Sequence, residues 1–497
     1  MNNQNYVIPT VATATAAENS DHLPVVVVMV PLPAQGHLNQ LLHLSCLLST
    51  FHIPIHFVGT ATHNCQARLR CVDGGDDYRH RRHHHPIQFH DFDIPPFPSP
   101  PPNPSAIHKF PSHLIPAFTA AAVHLHRPLT VFLHSLSPKA KRVIVIHDSL
   151  MSSVVQGVHT IPNVESYSFH SVSAFAVVLH YLERKAVVTG RDMATFYDEL
   201  LPEKLNVPPL DECFPAEFLE FIRSQFHQLP KMGGGKIYNA CRVIEGQFLE
   251  VIERVEHEFH HWALGPFNPL KISPSLKNGQ ESSSKHKCLT WLDQQDPRSV
   301  IYVSFGTTTA MEDEQIKEIA NGLASSHQKF IWVLRDADKA DIFEGNDVKI
   351  SELPKGYEDL IGDRGLVIRE WAPQLEILSH RATGGFMTHC GWNSCMESIT
   401  TGVPVAAWPM HSDQPRNTVL MTAVLRVGVV VKEWGQKQGE VVAAAVVEEV
   451  VRRLMVSEEG AEIRRNSERL GEAVRRSMED GGDSRRELEA FVAHITR

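Results

Sequence analysis

No apolar run in this chain approaches the roughly 18 residues needed to cross a bilayer. The run VVVVMV at Val25–Val30 is strand-length and is closed by Pro24 and Pro31. The first 67 residues hold no lysine or arginine, so the charged start of a secretory signal and the Arg-rich character of a transit peptide are both missing. No Asn-x-Ser/Thr glycosylation site with a permitted middle residue occurs. The eight cysteines are scattered without paired zinc-ligand spacing and read as reduced thiols. These absences point to a cytoplasmic protein with no membrane partner. There is no basic excess either: 47 Lys and Arg against 57 Asp and Glu give −10, which argues against nucleic acid and against an anionic membrane surface. PLPAQGH, after the first apolar run, lacks the G-x-G-x-x-G spacing of a nicotinamide site, and no G-x-x-x-x-G-K-[ST] loop is present.

What is present is a long, ordinary globular composition. With 497 residues, 42% hydrophobic, the chain suits two domains of roughly 200–250 residues. Residues 1–22 are polar and read as a disordered tail. Val25–Val30, a helix HLNQLLHLSCLLS and a strand at Ile53–Val58 make a strand–helix–strand opening, the mark of a parallel sheet. The run HRRHHH, 80–85, reads as a solvated loop in preference to a metal site. RVIVI, Arg142–Ile146, is a buried strand ending in His147 and Asp148, and residues 160–260 read as mainly helical. Residues 265–287 lose all periodicity and are rich in Ser, Pro and Lys, the best linker candidate. Five strand-like runs follow, VIYVSF, KFIWVL, GLVIRE, GGFMT and VPVAAW, alternating with helical ones. The expected organisation is a tail at 1–22, a domain at 23–264, a linker at 265–287, a second domain at 288–470 and a closing helical segment at 471–497.

Polar residues gather just past the carboxyl ends of these strands, where open parallel sheets bind ligands. In GGFMTHCGWNSCMESI, Gly391 permits close approach and the first amides of the next helix lack internal partners, which suits a phosphate. Asn393, Ser394 and His389 can donate to phosphate oxygens, and Glu397 can accept from two ribose hydroxyls. Trp371 offers a flat face for a nucleobase, and Asp413 with Gln414 suits sugar hydroxyls. Taken singly, each has a plain alternative as a helix cap, a core tryptophan or a surface turn.

The 44 positions from Trp371 to Gln414 resemble the signature box of plant UDP-sugar-dependent glycosyltransferases. PLPAQGHLNQLLHLS, IQFHDFDIPPFPSPPPNP and HDSLMSSVVQ are most similar to the zeatin (cytokinin) O-glucosyltransferase group. The resemblance implies the GT-B arrangement: two Rossmann-like, doubly wound parallel-sheet domains facing across a cleft, with the acceptor in the first and the UDP-sugar in the second. It implies that Trp371 stacks on uracil, that Ala372 and Gln374 meet the uridine, and that Glu397 holds the ribose. His389, Asn393, Ser394 and Thr307 would contact the diphosphate, and Trp392, Asp413 and Gln414 would face the sugar. The catalytic base matches His37 and its helper acid Asp148. The expected reaction is inverting O-glucosylation of a small hydroxylated plant metabolite by UDP-glucose, with no cofactor, no metal and a monomeric chain. A zeatin-type cytokinin is the first acceptor; a flavonoid or other phenolic is the alternative, and a non-catalytic sugar-nucleotide-binding protein is the reading from another class. His37 lies near a helix start, where the dipole is expected to keep it neutral. Gln40 stands where many relatives carry Pro, although the zeatin group shows Gln there; it bears on how the helix starts and how His37 points.

Overall fold

The computed structural model describes residues 23–73, 86–106, 108–190, 205–226, 233–270, 286–340, 352–435 and 439–497. The tail at 1–22, the HRRHHH run and positions 271–285 of the linker candidate lie outside them.

Two parallel sheets organise the chain. The first has seven strands, β1 (Val25–Val30), β2 (Ile55–Thr60), β3 (Gln88–Phe92), β4 (Arg142–Asp148), β5 (Val164–His170), β6 (Gly235–Tyr238) and β7 (His261–Ala263), in the order β3-β2-β1-β4-β5-β6-β7. The second has six, β8 (Val300–Ser304), β9 (Lys329–Val333), β10 (Gly365–Ile368), β11 (Thr383–Thr388), β12 (Val405–Ala407) and β13 (Gly428–Val430), in the order β10-β9-β8-β11-β12-β13. All described strand pairs are parallel. Both sheets therefore reverse direction at their centre, between β1 and β4 and between β8 and β11. Adjacent crossovers leave in opposite directions there, which opens a crevice at the strand carboxyl ends.

The central strands are apolar because helices cover both of their faces. Val27, Val28, Met29 and Val30 of β1 and Ile144, Val145 and Ile146 of β4 are fully buried. Within 160–260, read as mainly helical, the structure also places the strands β5 and β6. β5, VESYSFH, is buried yet carries Ser166, Ser168 and His170, so it lacks the apolar run that announces a buried strand. β13 was missed for its shortness, three residues. The second strand is shifted two residues from its expected start, and β4 extends to include Asp148 itself.

After the helix Glu458–Ser477, a turn leads into the last helix, Asp483–Thr496. Leu488, Phe491 and Ile495 of that helix join the core beneath the first sheet with Val27, Ile144 and Tyr167. Arg142 on β4 donates to the carbonyls of His494 (3.0 Å) and Ile495 (2.8 Å), closing the helix's carboxyl end.

Candidate active site

A cleft of about 2010 Å³ runs between the two sheets and is lined from both. Pockets for single small ligands are about 300–1,000 Å³, so this volume accommodates two molecules side by side.

On the first side, the helix Gln35–Ser49 follows β1, and His37 sits in its first turn. Asp148 ends β4, directly beside β1, with Val30 paired to His147. Strand adjacency thus brings together residues 111 apart in sequence. His37 Nδ1 lies 2.6 Å from Asp148 Oδ2, and the other carboxylate oxygen accepts from the Leu150 N–H at 2.9 Å. Ser171 Oγ is 3.0 Å from the same Nδ1. With Nδ1 engaged, Nε2 is the nitrogen left for a substrate, and the ring keeps 22% exposure while Asp148 has none. The surroundings of His37 favour its protonation, opposite to the direction expected from the helix dipole. Burial lowers its pKa, but the charge and hydrogen bond of Asp148, with Asp413 across the cleft, outweigh burial and raise it above its ordinary 6.5.

On the second side, the helix Trp392–Thr401 begins at Gly391 without a side-chain cap, leaving the N–H groups of its first turn for an anion. Beside it lies the β8 turn carrying Gly306 and Thr307. His389 is boxed between glycines: a Cβ at Gly306 or Gly391 would come within 2.7 or 2.6 Å of its Nε2. Burial pushes His389 down to about 4, so near neutral pH it is uncharged and can act as an N–H donor. Cys390 (φ 61°) and Ser412 (φ 61°) adopt left-handed backbone, costing about 1–2 kcal/mol each. Asn417 supports both turns, donating to Cys390 O (3.0 Å) and to Asp413 Oδ2 (2.7 Å) and accepting from Ser173 of the first domain at 2.9 Å.

The remaining candidates fall on the same wall. Trp371 is 51% exposed where it lines the cleft. Ala372, the next residue, is buried. Gln374 donates to Glu397 Oε2 (2.7 Å) and to Ser394 Oγ (3.1 Å), orienting both. Burial lifts Glu397 to about 7, partly offset by Gln374. Gln414 is buried, its Oε1 held by the N–H groups of Met410 (2.9 Å) and His411 (3.1 Å), while its Nε2 lies 3.4 Å from both ring nitrogens of His411. Two residues are engaged differently from expectation. Trp392 is 3% exposed, and its indole N–H donates to Asn239 O at 2.8 Å; its main-chain N–H heads the helix. Asn393 spends one amide hydrogen on Gly36 O (2.9 Å), next to His37 and across the cleft.

Sequence reasoning missed Ser171, Asn239 and Asn417. Ser171 follows β5, in the stretch read as helical, and nothing in its local sequence marks it as a partner of a residue 134 positions away. The far part of the cleft is aromatic. Phe110 lies 4.6 Å from Phe218, 5.9 Å from Phe214 and 5.7 Å from the His411 ring, centroid to centroid. Phe118 and Leu150 line the same part.

The family described as "Glycosyltransferase, N-terminal domain" matches residues 23–269, and that described as "UDP-glucoronosyl and UDP-glucosyl transferase" matches 271–456. A zeatin O-glucosyltransferase of Phaseolus lunatus is 53% identical over 95% of this chain and 97% of its own. The chain belongs to the UDP-dependent glycosyltransferase family. A zeatin O-xylosyltransferase of Phaseolus vulgaris is 50% identical over 96% of this chain and 99% of its own. Among solved structures, a UGT transferase from Siraitia grosvenorii in complex with UDP aligns with a TM-score of 0.69 at 26% identity, covering 95% of this chain and 100% of that one. The glycosyltransferase described here has the GT-B fold. No helix among its described residues is long and apolar enough to cross a membrane. Among those residues no cluster of three or more His, Cys, Asp or Glu could hold a metal ion.

Proposed function

We propose that the protein transfers glucose from UDP-glucose to the side-chain hydroxyl of a zeatin-type cytokinin, with inversion, using His37 as base. The observation that carries this reading is the imidazole clamped at Nδ1 by Asp148 and Ser171, with Nε2 left for the cleft opposite the uncapped helix start at Trp392.

The chemistry follows from those positions. An alcohol is a weak nucleophile until a base withdraws its proton during attack. His37 Nε2 takes that proton as the acceptor oxygen bonds to the anomeric carbon. The bond from that carbon to the diphosphate breaks on the opposite face, and UDP leaves with the bonding pair. An α-linked donor gives a β-glucoside. Asp148 stabilises the imidazolium as it forms. Helix-start N–H groups, Ser394 and the neutral His389 meet the charge growing on the diphosphate, so activity is expected to survive chelation of divalent metals. Trp371 stacks on uracil over Ala372, Gln374 and Glu397 take the uridine, Thr307 and Asn393 flank the diphosphate, and Asp413, Gln414 and the Trp392 main chain meet the sugar. The phenylalanine wall suits a flat purine, and the zeatin acceptor also draws support from the two bean relatives.

The test is purified protein with UDP-glucose or UDP-xylose and trans-zeatin, reading UDP release and the mass of the product. A zeatin hexoside is expected. Turnover confined to phenolic acceptors would overturn the cytokinin assignment, and tight UDP-glucose binding with no turnover on any acceptor would overturn catalysis itself.

A further inference from the structure

The two groups at His37 Nδ1 are held in different ways. Asp148 belongs to a central strand and is pinned by the Leu150 N–H. Ser171 lies in the short link between β5 and the helix Ala174–Thr189, outside any regular element. The main chain of that link sets where its Cβ stands, and so where its hydroxyl can reach. Gln40 holds the Ser171 end of that link, whose other end is anchored by Ser173 on Asn417. One turn beyond His37 on the same helix, it donates from Nε2 to Ser171 O at 2.8 Å and accepts at Oε1 from Asn239 Nδ2 at 3.0 Å.

Both amide orientations are set by their outer partners. Ser171 O can only accept, so Nε2 of Gln40 must face it. The Phe267 N–H can only donate and takes Asn239 Oδ1 at 3.1 Å, so the NH2 of Asn239 must face Gln40. Asn239 O then accepts the indole N–H of Trp392. The chain of bonds runs His37–Ser171–Gln40–Asn239–Trp392, from one wall of the cleft to the first residue of the opposite helix. Gln40 is 4% exposed, Asn239 3%, Ser171 7% and Trp392 3%. A buried amide with both ends paired selects one geometry, because any other strands a polar group.

We propose that Gln40 is a positioning residue for the reaction: it sets the Ser171 hydroxyl that orients the His37 imidazole and ties that orientation to the docking of the second domain. The inference rests on the reading of His37 as base. It does not make Gln40 a catalytic residue, since Gln40 acts through Ser171.

The test is Gln40→Met, near in volume and unable to make either bond. Its kcat on trans-zeatin, an alcohol that needs an aligned base, should fall about 10–100-fold, since a displacement near 1 Å can cost that much. A chlorinated phenol, already acidic, should lose less than about 5-fold, and the KM for UDP-glucose should stay within about twofold. Ser171→Ala should show the same bias, and the double variant should be within about twofold of Gln40→Met alone, because residues acting through one another are not additive. Equal losses on both acceptors, or losses that multiply with Ser171→Ala, would mean a merely structural role and overturn the proposal. Should Gln40→Met fail to fold, Gln40→Glu keeps the acceptor for Asn239, loses the donor to Ser171, and should show the same bias. His37→Ala separates the two claims. If it keeps zeatin activity, the base assignment falls; if it loses that activity while the Gln40 variants show no bias, only the role of Gln40 falls.

Discussion

The two sheets reverse at equivalent places, yet the histidines beside those reversals are opposites. His37, next to β1 and β4, shares its site with Asp148 and has Asp413 across the cleft, and its pKa is raised. His389, following β11, is packed between two glycines with no carboxylate bonded to it, and burial takes it down to about 4. Burial disfavours the imidazolium in both; a carboxylate at 2.6 Å reverses the outcome in one. The same crossover geometry thus gives one imidazole whose protonation is favoured and one that burial keeps neutral. Residue type alone does not assign either role.

Four experiments would break or sharpen that contrast. His37→Ala should lower kcat on zeatin by about 10³–10⁴, near the top of the range for removing a general base, and on a phenol by much less; equal losses would count against base catalysis. Asp148→Asn should cost about 10²–10³ in kcat/KM by disturbing tautomer and orientation. The base works unprotonated, so activity is lost as pH falls through the His37 pKa. Removing the neighbouring carboxylate lowers that pKa, and the acid limb of the profile should move to lower pH. A limb that stays put would show that Asp148 does not set the charge on His37.

His389→Ala should reduce kcat/KM by about 10–100-fold through loss of one donor to the diphosphate. The limb should not move, because a group at about 4 does not titrate in the working range. A shifted limb would make the two histidines alike after all. The smallest effect concerns Glu397, lifted to about 7. Ribose hydroxyls need the carboxylate as acceptor, so the KM for UDP-glucose should rise as pH drops below 7. Glu397→Gln should raise that KM about 3–10-fold at pH 8, the loss of a charge-assisted hydrogen bond, and flatten its dependence on pH. A variant that retains the wild-type slope would assign the slope to another group.

Much of the site was legible because its parts are local. His389 to Glu397 occupy one strand–helix turn, and Trp371 to Gln374 another, so their facing one cleft could be read along the chain. β1, β4 and β8 announced themselves as apolar runs because both faces are covered. β5 did not, since serines and a histidine interrupt it, and the loss of β5 concealed Ser171 at its end. The roles of Trp392 and Asn393 could be only half read: an indole N–H that reaches Asn239, 153 positions away, and an amide that reaches Gly36, 357 away, leave no periodic trace.

By itself the sequence determined the alternation of buried strands and amphipathic helices, the two-domain plan and the identity of the polar turns. Those depend on side-chain chemistry over a few neighbouring residues, where burial leaves a period. The tertiary structure alone decided which turns meet, which imidazole gains a carboxylate, and how the amides of Gln40 and Asn239 point. Those outcomes depend on distances between segments far apart in the chain, and electrostatic and hydrogen-bond energies change steeply over the few ångströms that folding sets.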